Sequence, residues 1–139
     1  MASFNKFNSF VSDLAQKVHN LNSDALKILL TDTAPVATNT IKSNLTEIAS
    51  GNGYAAGGAG AAFVSGNDTS GTYRLILSQV SWTASGGAIA QFRYAVLYNS
   101  SAASGNLIGW WDYGAEVNLT NGNTFTVALD QTNGVLTLQ

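Results

Sequence analysis

The stretch Phe92-Arg93-Tyr94-Ala95-Val96-Leu97-Tyr98-Asn99, entered through Ala88-Ile89-Ala90-Gln91, decides the fold. Side chains of a strand alternate between its two faces. Phe92, Tyr94, Val96 and Tyr98 therefore share one side, while Ile89, Gln91, Arg93, Ala95 and Leu97 share the other. Both sides are partly apolar, which suits a central strand of a packed β-sandwich rather than a strand with one wet face. Asn99 to Asn106 reads as a flexible loop, and Leu107 to Tyr113 as a short aromatic strand.

Working outward, Thr72 to Trp82 reads as one long strand. Tyr73, Leu75 and Leu77 have one parity and Val80 and Trp82 the other. A bulge near Ser78-Gln79 would bring both sets onto the core. Glu116–Thr120 and Thr124–Asp130 read as the arms of a hairpin around Asn121-Gly122-Asn123. A three-residue loop sets Leu119 opposite Phe125 and Val117 with Val127, keeping the apolar faces in phase. Val135–Leu138 is a last strand. Upstream, Ala25–Asp32 is a strand with Leu26, Ile28 and Leu30 on one face, and Pro35 ends it. The segment 33–50 is a long connection with one short helical or 3₁₀ turn within Thr40–Glu47. Phe7, Phe10, Val11, Leu14, Val18 and Leu21 recur at helical spacing. They predict a helix over Asn5–His19, capped by Ser3 or Asn5 and ended by Asn20 or Asn22. The expected whole is an all-β antiparallel sandwich or jelly-roll of seven or eight strands with one short N-terminal helix. It forms a single domain, residues 1–139, divided into a helical segment (1–22) and a β-sandwich (23–139).

Composition narrows function. The 139 residues hold six Lys and Arg, eight Asp and Glu, one His and no Cys. Without Cys there is no disulfide framework and no thiolate metal site. The six basic residues, Lys6, Lys17, Lys27, Lys42, Arg74 and Arg93, are scattered, and nucleic-acid affinity needs several phosphates neutralised together. No apolar run has the length of a transmembrane helix. The opening residues lack the basic-then-apolar order of a secretory signal. The expectation is a protein made in a cytoplasm, without nucleic-acid or membrane partners. Residues 51–139 carry two positive and four negative charges, so the β-region is coated mainly by neutral polar groups. Weak net charge gives little protection against self-association, which favours an oligomer or an assembly subunit.

Few residues offer chemistry. Glycines 51, 53, 57, 58 and 60 make a glycine-rich loop, but no Lys-Ser/Thr ending and no strand-to-helix context marks it as phosphate-binding. It reads as a tight loop with Tyr54 as packing anchor. His19 lacks a nucleophile turn to serve, and reads as a helix C-terminal His favoured by the dipole. Asp112 and Glu116 are the one carboxylate pair suggestive of glycoside hydrolysis. Beside them, Trp110, Trp111 and Tyr113 offer rings for sugars. Strand alternation instead puts one Trp in the core and the other outside, as a contact residue. No D-x-D-x-D-G run marks a calcium site. No cofactor, metal or catalytic residue is expected.

Three stretches carry a resemblance. They are Phe7-x-x-Phe-Val-x-Asp-Leu-Ala…His-Asn-Leu…Asp24-x-Leu-Lys-x-x-Leu-Thr, then Ile48-x-x-Gly-Asn-Gly-Tyr-x-x-Gly-Gly, and Phe92-Arg-Tyr-Ala-Val-Leu-Tyr-Asn with Leu107-Ile-Gly-Trp-Trp-Asp-Tyr-Gly. Together they resemble a group of small tailed-bacteriophage virion proteins and are similar to capsid decoration, or cement, proteins. The resemblance implies a β-sandwich or jelly-roll with a short N-terminal helix. It also implies a structural, non-enzymatic role on the outer capsid surface, with the major capsid protein and a second or third copy of the chain as partners. A tail, baseplate or head-fibre component, and a carbohydrate-binding module, are the alternatives. Apolar exposure nominates Phe4, Phe7, Tyr54, Trp110, Trp111 and Tyr113 as contact residues.

Overall fold

A computed structural model describes residues 2–139; Met1, the first residue of the expected helical segment, lies outside them. The elements run β1 (Asn5–Lys6), α1 (Ser9–Ala15), β2 (Leu26–Thr31), a 3₁₀ turn (Lys42–Asn44), β3 (Ala59–Gly60), β4 (Phe63–Thr69), β5 (Thr72–Leu77) and β6 (Val80–Thr83). They continue with β7 (Phe92–Asn99), β8 (Leu107–Val117), β9 (Thr124–Val127) and β10 (Leu136–Leu138). All pairings between these strands are antiparallel. A five-stranded sheet has the order β1-β8-β7-β2-β3, and β10-β5-β4 and β6-β9 form two smaller sheets. The fold is the expected all-β, sandwich-like one with a short helix.

β7 is central, as its two-sided pattern predicts. Ala95 and Leu97 face the main core with Ile28 and Leu30 of β2, against Leu75, Leu77, Val80, Trp82 and Leu136 of the smaller sheets. Val96 and Tyr98 face the other way, in a second cluster with Leu29, Leu107 and Phe7. Phe92, expected on their side, instead joins the main core, because the ladder to β8 shifts register between Phe92 and Tyr94. Leu45 of the long connection and Trp110 pack against that cluster. The large sheet is therefore covered on both faces, one by sheets and one by irregular chain.

Three elements depart from the sequence reading. The helix is seven residues, Ser9–Ala15, not Asn5–His19. Asn5 and Lys6 instead pair with Trp110 and Gly109 of β8. Lys17 adopts a left-handed φ of 65°, Lys17 N–H bonds Leu14 O, and Val18 N–H bonds Asp13 O. That pattern is a Schellman stop, with lysine where glycine is usual, and it ends the helix before Asn20 or Asn22. The expected single strand Thr72–Trp82 breaks at Ser78-Gln79, where the bulge was placed, but the chain changes sheets there. β5 pairs with β4 and β10, whereas β6 pairs with β9.

The hairpin of Glu116–Thr120 with Thr124–Asp130 does not form. The turn itself is present, with Asn123 N–H bonded to Thr120 O and Gly122 at φ 87°. Its arms diverge: Val117 pairs with Phe92, Leu119 O accepts Ile89 N–H, and Phe125 pairs with Trp82. Ala84 donates to Asn123 O and accepts from Gly122 N–H, pinning the turn to β6. Side-chain hydroxyl pairs Ser81–Thr126 and Thr83–Thr124, both at 2.7 Å, extend that pairing.

Candidate functional site

Alternation along β8 sends Trp110 and Trp111 to opposite faces of the large sheet, as expected. Neither is left free. β1 lies beside them, and its flanking aromatics cover both rings. The Phe7 centroid is 4.5 Å from Trp110, and the Phe4 centroid is 5.3 Å from Trp111. Gly109 makes the approach possible, since a Cβ there would overlap the Phe4 ring. The expectation that Phe7 is an exposed contact residue is corrected. Phe7 is wholly buried, and Phe4 is half-buried against the core. Both tryptophans are half-buried. Only Tyr113, 59% exposed, stands out from this group, edge-on to Phe125. Trp111, Tyr113, Phe92, Tyr94 and Phe125 line a cavity of about 190 Å³ between the large sheet and β9.

Asp112 is tied into an ion pair with the neighbouring strand. Asp112 takes a two-pronged hydrogen bond from Arg93, Nε to Oδ1 at 2.8 Å and Nη2 to Oδ2 at 3.0 Å. Gly114 N–H adds a third at 2.7 Å. Arg93, then Gly114, hold Asp112 below the usual carboxylate range, so it stays ionised. Glu116 is exposed on the β8 extension and takes no part in these bonds. An Asp112 held ionised does not suit the proton-donating carboxyl group of a glycosidase, which must be kept protonated.

Tyr54 is 3% exposed, as its reading as a packing anchor of the glycine loop requires and against its nomination as an exposed contact residue. β3 pairs only with Lys27 and Ile28, leaving the rest of the β2 edge without a strand. Tyr54 Oη fills that gap by accepting Leu30 N–H at 3.0 Å, while Ile48 N–H bonds Leu30 O. Tyr54 in turn donates to Glu47 Oε1 at 2.7 Å. Glu47 also accepts Gly57 N–H and lies 3.4 Å from Lys42 Nζ. Tyr98 donates to Gly57 O at 2.7 Å. Gly58, at φ 74°, sits where a Cβ would overlap Ile28 O. The glycine loop is thus a lashing that holds the connection to β2, and its tight backbone approaches explain its composition.

A further cluster went unread in the sequence. His19 lies beyond the helix end, not in its last turn, and is 4% exposed. It meets Asn99 at 3.1 Å, and Asn99 also donates to Asp24 at 2.6 Å. Asp13 Oδ2 accepts from Asn106 and lies 3.9 Å from His19 Nε2. The signal was the pair of asparagines flanking the 100–105 loop, which look like ordinary turn residues in a chain so rich in them. Among the described residues, no group of three or more His, Asp or Glu is placed to hold a metal ion. No described helix is long and apolar enough to cross a membrane.

On the outside, the exposed large apolar side chains are Val11, Val36, Phe63, Val64 and Tyr113. Phe63 and Val64 are adjacent on β4, the terminal strand of its sheet. Comparison of the chain with known protein families, with curated proteins and with solved structures yields no match.

Proposed function

We propose that this chain is a structural virion protein of a tailed bacteriophage that binds the outside of the capsid and stabilises the shell. The observation that carries the reading is the outer edge of β4. This strand is seven residues long, ends its sheet, and leaves its outer backbone groups without a strand partner. Phe63 and Val64 are exposed on it, and its only charge is Asp68. Soluble proteins blunt such edges with lysine, proline, a bulge or a covering element. β4 has a register shift between Phe63 and Ser65 but no lysine or proline along its seven residues. An edge left open beside apolar side chains suits docking onto another protein's backbone, as in strand addition. The motif resemblance supplies the kind of partner. On a repeating shell, individually weak contacts of this sort add through avidity. The engagement of Asp112, Tyr54 and Glu47 in structural bonds fits a role without a reacting centre.

The test is co-sedimentation of the purified chain with capsids of its parent phage that lack it, followed by imaging of the particles. Saturable binding to the shell exterior is expected, with at least about tenfold weaker binding for Val64→Lys, which charges the edge. Absence of shell binding, or density confined to the tail or head fibres, refutes the assignment.

A further inference from the structure

Asn99, at the end of β7, has no exposed surface. Its Oδ1 accepts two backbone hydrogen bonds, from Ser101 N–H at 2.9 Å and Ala102 N–H at 3.2 Å. Those donors fix which end of the amide is which. The Nδ2 end must then face the N-terminal segment, where it lies 2.6 Å from Asp24 Oδ2, 3.1 Å from His19 Nδ1 and 3.4 Å from Val18 O. An amide nitrogen has only hydrogens to offer. His19 Nδ1 must therefore present a lone pair, and the neutral ring carries its hydrogen on Nε2.

Nε2 itself has no hydrogen-bond partner, and the His19 side chain has no exposed surface. The nearest acidic oxygen, Asp13 Oδ2 at 3.9 Å, is beyond hydrogen-bond reach and already accepts Asn106 at 2.9 Å. A second proton would have to go on Nδ1, placing N–H against N–H. The charged and titratable groups around the ring are Asp13 from α1, Lys17 from its C-terminal turn, and Asp24 from the turn into β2. Tyr73 of β5 lines the same hollow as Lys17 and His19. The two aspartates favour the imidazolium, but burial outweighs them and pushes the His19 pKa down.

We propose that His19 is an acid-released latch: neutral, it holds the turn 17–24 against the end of the β2–β7 pair, and protonation loosens that turn. Asn5 and Lys6 remain paired with β8, and Phe7 and Phe10 remain buried, so the loosening is local to the turn. The inference rests on internal geometry and stands apart from the capsid reading. Its sign follows from linkage. A histidine whose folded pKa is depressed contributes stability above its ordinary 6.5, and that stability is lost as pH falls toward the folded value. Within that window the opening equilibrium rises by up to about tenfold per pH unit.

The chain has one His, so its imidazole gives a single set of nitrogen signals. Nitrogen-15 spectra of the full chain between about pH 8 and pH 5 read tautomer and titration directly. The expected result is the Nε2–H tautomer at the alkaline end and titration below 6.5. As the ring titrates, amide protection across 17–24 falls relative to β7. His19→Phe, which keeps a ring beside Phe10, should lose that acid step. An Nδ1–H tautomer, titration at or above 6.5, protonation with the turn still protected, or an unchanged acid step in His19→Phe overturns the proposal. Should that variant fail to fold, the wild-type tautomer and the coupling of titration to protection still decide it.

Discussion

Tyr54→Phe isolates what one hydroxyl contributes to the large sheet. The ring stays, so its packing 6.1 Å from Trp82 is kept and no cavity opens. What is lost is the oxygen that accepts Leu30 N–H and donates to Glu47. Glu47 keeps Gly57 N–H and Lys42 as partners. Leu30 N–H does not, because β3 stops before reaching it. A buried donor left unsatisfied costs about 1–3 kcal/mol. At about 4 °C per kcal/mol for a domain of this size, the melting temperature should fall by roughly 4–12 °C. Urea unfolding should show a lower midpoint with the slope unchanged. A second signature is alkaline. Burial, reinforced by Glu47, pushes the Tyr54 pKa far above its ordinary 10.0. A raised pKa in the folded state gives stability that is full below 10 and lost as pH rises beyond it. Burial raises Tyr73 and Tyr98 in the same direction, so the variant should lose part of this alkaline sensitivity, not all. A stability change below about 0.5 kcal/mol, the range of ordinary surface substitutions, together with an unaltered alkaline profile, would refute the view that Tyr54 completes the β2 edge.

Two further outcomes test the framework. Gly58→Ala meets both a left-handed backbone and the Ile28 carbonyl, and should lower the urea midpoint by more than about 1 kcal/mol of stability, whereas Gly60→Ala, with open space around it, should not. Phe7→Ala removes a wholly buried ring and should cost about 3–5 kcal/mol, with tryptophan emission shifted because Trp110 loses its cover.

What the sequence revealed was parity, and what it concealed was partnership. β7 was legible because a strand with two apolar faces can be buried only in the middle of a stack, and β2 because Leu26, Ile28 and Leu30 alternate onto one face. Their pairing sets Leu29 opposite Val96 and Leu30 opposite Ala95. The 3₁₀ turn at Lys42–Asn44 fell inside the segment expected to hold it. The Asn121-Gly122-Asn123 turn was also legible, but a turn does not say which strands its arms join. Phe125 is in phase with Leu119 in a hairpin and equally in phase with Trp82 in β6, and only the hydrogen bonds from Ala84 decide between them. Phe7 and Tyr54 were nominated as exposed for a related reason. Neither lies in a run with a strand period, and the hollow that receives each is built by distant chain. Phe7 is received by Val96, Tyr98 and Leu107, about ninety residues downstream.

The three stretches behind the phage resemblance turn out to bind one another. Asn99 of the third holds Asp24 and His19 of the first. Tyr98 of the third donates to Gly57 of the second. Tyr54 of the second accepts from Leu30 of the first. A pattern made of mutually bonded interior residues is constrained by the scaffold, and it reports a scaffold. It says little about which outer surface meets a partner, because surface residues away from the lashings are free of those constraints. The β4 edge, with Phe63, Val64 and Asp68, lies outside all three stretches. Scaffold and proposed docking edge are therefore separable: on that proposal Val64→Lys should weaken shell binding while leaving the Tyr54 and His19 networks untouched. A scaffold variant such as Tyr54→Phe should lower stability with little direct effect on binding while the chain stays folded. Two variants that fail in the same assay would mean that edge and scaffold form one cooperative unit, and the proposed division of labour would be wrong.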